Sequence, residues 1–302
     1  MVTTLLLLAV FALLGVAVQV RSSRSDALRD ALWNLNYVLF IPLAATYALL
    51  SIELDRQLLT VVAVGIAAWW LTVAVAGGWA RATCSDRIKR GAVWLAGAFP
   101  NTGFLGFPLA YLVFGTDGLR LAIIYDQISL VIPAVVVSTM IARGHGHEGT
   151  PGAGSLWRVA LASPPLWTVA VLITLRSTVL PDPIELEAMG HAIGTLVGPY
   201  GFVLLGLSLP LGGFSHGRHD VVVTAGAVVV RTMVAPMLVL LVAWVSGVDV
   251  PGSLLLIAAM PTAFHALIIG RVNGLDANVL RLAIVISSPL VIVASIVIAA
   301  VR

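Results

Sequence analysis

Polar breaks divide this chain into ten apolar runs, near residues 2–20, 31–51, 57–79, 91–114, 118–142, 157–180, 186–209, 220–246, 253–270 and 277–301. An α-helix needs roughly 20 mostly apolar residues to cross a bilayer, and each run meets or approaches that length. Charged residues make up 10% of the chain and hydrophobic ones 60%, whereas a soluble domain carries about 25% charged residues. The runs predict an all-α polytopic membrane protein, because a helix satisfies its own backbone in lipid. The first run, "MVTTLLLLAVFALLGVAVQV", has no basic leader and is followed by Arg21, Arg24 and Arg29, so it reads as a retained span.

The basic residues alternate with the breaks. Those after odd-numbered runs hold Arg21, Arg24, Arg29, Arg81, Arg87, Lys89, Arg90, Arg143, Arg158, Arg218, Arg271 and Arg281; those after even-numbered runs, with the C-terminus, hold Arg56, Arg120, Arg176 and Arg302. The bias of 12 against 4 predicts a multi-pass protein of the cell (inner) membrane with both termini outside the cytoplasm. Because these charges are scattered over short loops, the net +3 implies no nucleic-acid partner. Cys84 is the single cysteine, which leaves no disulfide framework and no cysteine metal site. His145, His147 and Glu148 in the central loop sit among glycines and form no rigid metal set, and no cofactor is expected.

The two halves resemble each other. A shift of 161 residues lays Leu95, Ala98 and Pro100 on Leu256, Ala259 and Pro261, and lays "LRLAI" from Leu119 on "LRLAI" from Leu280. This predicts two five-helix repeats, 1–156 and 157–302. Five is odd, so the second repeat enters the membrane inverted, the arrangement of secondary transporters.

In that arrangement, paired broken helices mark the binding site. The fourth run breaks at "FPNTG" and the ninth at "MPTAFH". Proline removes a backbone donor and ends or kinks a helix, and in lipid the freed carbonyls need protein or water partners. Pro100 and Pro261 therefore predict a protected polar place near the midplane. The half-helices beyond them would present free N–H groups and positive partial charge. Asn101, Thr102, Gly103 and Thr262 are the candidate binding residues there.

"AGAFPNTGFLGFPLAYLVFGTDG" resembles the Asn-Thr-Gly-Phe-x-Gly-x-Pro signature of the auxin efflux carrier family, which includes bacterial organic-acid transporters and the PIN-FORMED exporters of plants. "GPYGFVLLGLSL", "VVVRTMVAPMLVLL" and "AAMPTAFHALIIGRVNGLD" are further matches, so the resemblance covers nearly the whole chain. It implies the ten-helix fold shared with bile-acid/sodium symporters, in which helices four and nine unwind and cross. It also implies a scaffold from 1–56 and 157–219 and a moving transport domain from 57–142 and 220–302. Asn101 would hold the substrate carboxylate, Gln127 would line the site, and transporters on this fold are often homodimers through the scaffold. Two departures stand out: His265 replaces a small or amide residue, and the acid and lysine of the plant exporters' third helix have no counterpart in "VAVGIAAWWLTVAVAGGW".

Charged groups at the bilayer centre cost about 2.5–3.5 kcal/mol on insertion scales. Asp126, beside Gln127 and Ser129, and His265 are therefore the candidate coupling groups, the second because histidine titrates nearest working pH. The repeat offset sets Ser287 and Ser288 against Asp126 and Gln127. Arg231, inside the eighth run, offers a fork of donors to an anion or neutralises Asp126. The expectation is a secondary transporter, not an enzyme, that moves a small organic anion, a carboxylate in particular, outward by alternating access with proton coupling. The alternative is a sodium-coupled symporter of the bile-acid type; against it, the breaks offer Asn101, Thr102 and Thr262 but no carboxylate of their own, and sodium wants several oxygen ligands.

Overall fold

A computed structural model describes residues 2–127, 131–146, 163–209 and 217–301. Over these residues the chain is helical and contains no strand: α1 (Val2–Arg21), α2 (Ser25–Leu35), α3 (Ile41–Ser51), α4 (Arg56–Thr83), α5 (Arg87–Ala98), α6 (Phe107–Tyr125), α7 (Val131–His145), α8 (Pro164–Thr178), α9 (Glu187–Ser208), α10 (Arg218–Val229), α11 (Ala235–Ser246), α12 (Gly252–Ala258), α13 (Phe264–Val272) and α14 (Ala277–Val301). Among the described residues, six helical stretches are long and apolar enough to cross a membrane: Ser25–Ser51, Arg56–Thr83, Thr102–Tyr125, Glu187–Ser208, Arg218–Ser246 and Ala277–Ser295. The fourth and ninth apolar runs are shortened by backbone breaks at 99–101 and 259–263. The fifth and sixth reach into residues 128–130 and 157–162, outside the described residues, as do Ser129, His147, Glu148, Arg158 and the expected repeat boundary at 156–157.

Among the described residues, three complete stretches widen by one residue per turn before a proline. Asn36–Phe40 joins α2 to α3, Thr102–Gly106 leads into α6, and Val230–Val234 joins α10 to α11. In each, a backbone N–H bonds five residues back: Ile41 to Asn36, Phe107 to Thr102 and Ala235 to Val230. The next residue is Pro42, Pro108 or Pro236. A proline ring collides with the carbonyl four residues upstream, and a wide turn moves that carbonyl aside; such turns recur at functional sites. Within α6, Gly115 turns the chain with φ 69 and ψ −157, a conformation that a Cβ disfavours. That turn falls between the expected fourth and fifth runs.

Packing is close and apolar. α1 lies along α9, α3 on α8, α4 on α5 and α11, α5 on α7, α10 and α14, and α6 on α9. Two glycines set the closest approaches of α1 to α9: a Cβ on Gly15 would lie 2.2 Å from the Val203 carbonyl oxygen, and one on Gly206 would lie 2.0 Å from that of Ala12. Large apolar side chains also face outward, among them Trp244 (80% exposed), Leu13, Val20 and Met237. Exposed apolar surface on this scale fits lipid as solvent. Asp55 caps α4 through the Leu58 N–H, and Asp86 caps α5 through those of Ile88 and Lys89. Arg176, in the last turn of α8, is buried, and its guanidinium donates to the carbonyls of Ile52 at 2.7 Å and Leu180 at 2.9 Å.

Candidate functional site: two broken helices and a cavity

α5 ends at Ala98 and the chain runs extended through Phe99. α12 ends at Ala258 and the chain resumes helix at Phe264. The two breaks meet. The Asn101 N–H donates to the Pro261 carbonyl at 2.7 Å, and the Ala263 N–H donates to the Phe99 carbonyl at 2.9 Å. Together they form a short antiparallel bridge that pairs Pro100 with Thr262. Each break thus satisfies backbone groups of the other, as buried backbone requires.

Arg231 closes the helix ends that precede the breaks. It is 2% exposed, and its guanidinium donates to the carbonyls of Ala98, at 3.0 Å, and Ala258. These are the last residues of α5 and α12, where carbonyls lack helical partners and the dipole is negative. The Trp69 indole N–H also donates to Ala98, at 3.1 Å. Arg231 sits within the wide turn Val230–Val234, and its one local signal in the sequence is a charge five residues before Pro236 inside an apolar run. Its guanidinium pairs with neither Asp126 nor the cavity wall described next.

Beyond the bridge lies a cavity of about 200 Å³. Pro100, Asn101, Thr102, Gly103, Asp126 and His265 all contribute to its wall. Its remaining surface is largely aromatic and aliphatic, with Trp33, Tyr37, Phe104 and Phe264 prominent and Asn36 adding an amide. Asn101 is 3% exposed, and its side-chain Nδ2 has no protein partner. The His265 Nε2 is likewise buried and unpartnered, and its ring meets Phe99 edge-on at 5.4 Å. Asp126 accepts hydrogen bonds from the Thr102 hydroxyl and, at 2.9 Å, from the Gln127 amide.

The other expected residues lie behind this wall. Gln127 is buried, and it bears on the cavity through the hydrogen bond it gives Asp126. The Thr262 N–H donates to the Ser287 hydroxyl at 3.1 Å, and the Thr262 hydroxyl donates to the Ala96 carbonyl at 2.9 Å. Ser287 in turn donates to the Ala283 carbonyl at 2.6 Å. Ser288 is buried with an unpartnered hydroxyl. The two positions aligned by the 161-residue shift therefore differ: the Asp126 side opens to the cavity and the Ser287 side braces the bridge.

Sequence reasoning does not anticipate Trp33, Asn36, Tyr37 or the aromatic wall. Asn36 carries a signal, because it stands six residues before Pro42 as Thr102 stands six before Pro108 and Val230 six before Pro236. Among the described residues no group of three His, Cys, Asp or Glu is placed to hold a metal ion.

No protein-family model matches the chain. The chain is 28% identical over 218 residues to a protein of Methanothermobacter thermautotrophicus described as an uncharacterized transporter, covering 71% of this chain and 69% of that relative. On a chain of apolar helices, this similarity supports a multi-pass membrane transporter.

Proposed function

We propose that the protein is a secondary transporter of the auxin efflux carrier type, built as two inverted five-helix repeats, that exports a small organic anion by alternating access. The observation that carries this is the Asn101 amide, buried and unpartnered beside the two bridged breaks. A carboxylate there accepts from the amide and meets the first-turn N–H groups of the helix that starts at Thr102, which have no helical partners. The apolar body of the anion packs on Trp33, Tyr37, Phe104 and Phe264. A cavity of about 200 Å³ lies below the roughly 300–1,000 Å³ of drug-sized sites, which favours a small metabolite.

Asp126 faces the same cavity. Two negative charges a few ångströms apart repel strongly in a low dielectric, so Asp126 carries a proton while the anion is bound. This ties the anion to a proton. The scaffold (1–56, 157–219) holds still and the transport domain (57–142, 220–302) moves, with Arg231 and the Pro100–Thr262 bridge keeping the two breaks together.

A panel of mono- and dicarboxylates of increasing size, screened for thermal stabilisation of the purified protein, tests the reading, since a ligand that binds only the folded state raises its stability. Stabilisation by apolar monocarboxylates that Asn101→Ala abolishes is expected. Stabilisation that is equal in Asn101→Ala contradicts it.

A further inference from the structure

A second cavity, of about 580 Å³, adjoins the first and shares Trp33, Tyr37 and Phe264 with it. Arg29, Asp30, Asn34 and Arg271 stand in its wall. Arg29 is neutralised by Asp26 at 2.8 Å and Asp30 at 3.1 Å. Arg271 is different: among the described residues no carboxylate lies within ion-pairing distance of it. Partial burial first, then the like charges of Arg281 and Arg29, hold its guanidinium below the ordinary arginine range, with Asp26 opposing. Arg281 has a buried, unpartnered Nε. Holding like charges together costs the fold free energy that a bound anion offsets.

The opposite end carries the other sign. A cavity of about 640 Å³ there is lined by Glu53, Asp55 and Asp249, and by Asp117, which Arg120 neutralises at 2.9 Å. Residues 38–51 run between the two linings and span about 20 Å at 1.5 Å per helical residue.

We propose that Arg271, backed by Arg281, makes the mouth beside Arg29 an oxyanion-collecting vestibule that delivers soluble carboxylates to the Asn101 cavity. The inference rests on reading that cavity as the anion site. Fields of this kind raise the local concentration and on-rate of an oppositely charged solute. A lipid phosphate offers the same chemistry, and the test separates the two sources.

The test uses single cysteines at Asn34→Cys, in the basic mouth, and Gln57→Cys, in the acidic one, each in a Cys84→Ala background and in phosphatidylcholine nanodiscs. Rates with a sulfonate-bearing and a trimethylammonium-bearing methanethiosulfonate are compared with those of free cysteine. At Asn34→Cys the anionic reagent should be favoured about tenfold, and Arg271→Gln or 1 M salt should cut this about threefold or more. At Gln57→Cys the preference should reverse. A preference at Asn34→Cys that Arg271→Gln leaves unchanged overturns the proposal. So does a preference lost on adding phosphatidylglycerol while Gln57→Cys is unaffected, which assigns the mouth to lipid phosphate. The thiol rates do not depend on Asn101, so normal carboxylate flux in Asn101→Ala would overturn the cavity reading alone.

Discussion

The backbone N–H of Asn101 donates to the carbonyl of Pro261 at 2.7 Å, so the last residue of one helix break is held by the proline of the other. This fixes the Asn101 backbone without using its side chain. The amide Nδ2 is left without a protein partner, while the positions of both breaks depend on groups behind them.

Arg231 is the main such group. Charge-assisted hydrogen bonds contribute about 1.5–3 kcal/mol each, so Arg231→Met, which removes the donors to the Ala98 and Ala258 carbonyls, should destabilise the protein by about 3 kcal/mol or more. Arg231→Lys should recover only part, because an ammonium lacks the planar fork. Chemical unfolding in detergent measures both. Unchanged stability with weakened carboxylate binding would place Arg231 on the substrate instead.

Glycine supplies a second stability test. Gly206→Val should separate α1 from α9 and cost about 2 kcal/mol or more, within the range of overpacking. A Cβ on Gly103 meets nothing within 4 Å, so Gly103→Ala should leave the unfolding midpoint nearly unchanged while altering binding at the cavity wall. Equal destabilisation by the two would contradict the packing described.

Much of this is legible in the sequence. Apolar runs locate the helices, and the prolines at matched positions locate the breaks, because both signals are local. Arg231 is visible as an intramembrane charge, yet its use is not, since the Ala98 and Ala258 carbonyls it reaches lie 133 and 27 residues away in the chain. Trp33, Tyr37, Phe104 and Phe264 look like ordinary apolar-run residues until tertiary packing brings α2, the Thr102–Gly106 turn and α13 to one cavity. The shift of 161 residues that aligns Asp126 with Ser287 also hides their different surroundings.

Coupling is tested by pH. If Asp126 takes up a proton with the anion, apparent affinity should rise as pH falls, and Asp126→Asn should flatten the dependence. His265→Gln flattening it in place of Asp126→Asn would make His265 the carrier. Loss of transport on replacing sodium with a large organic cation at fixed pH, with both variants keeping the wild-type profile, would contradict proton coupling.

The charge bias makes a testable statement about orientation. Cysteines at Asp117 and Pro183 should react with an impermeant reagent from outside the cell, and ones at Ser23 and Ser85 from the cytoplasm. The reverse pattern would overturn the assignment of both termini to the outside.

The most direct measurement is counterflow of labelled carboxylates in proteoliposomes containing the wild type or Asn101→Ala. The wild type should show saturable exchange of a small apolar carboxylate, with Asn101→Ala losing about 1–3 kcal/mol of affinity, the range for an unmade hydrogen bond at a buried site, and keeping its unfolding midpoint. No flux of any carboxylate under any imposed gradient, or flux that Asn101→Ala leaves intact, would contradict the proposed function.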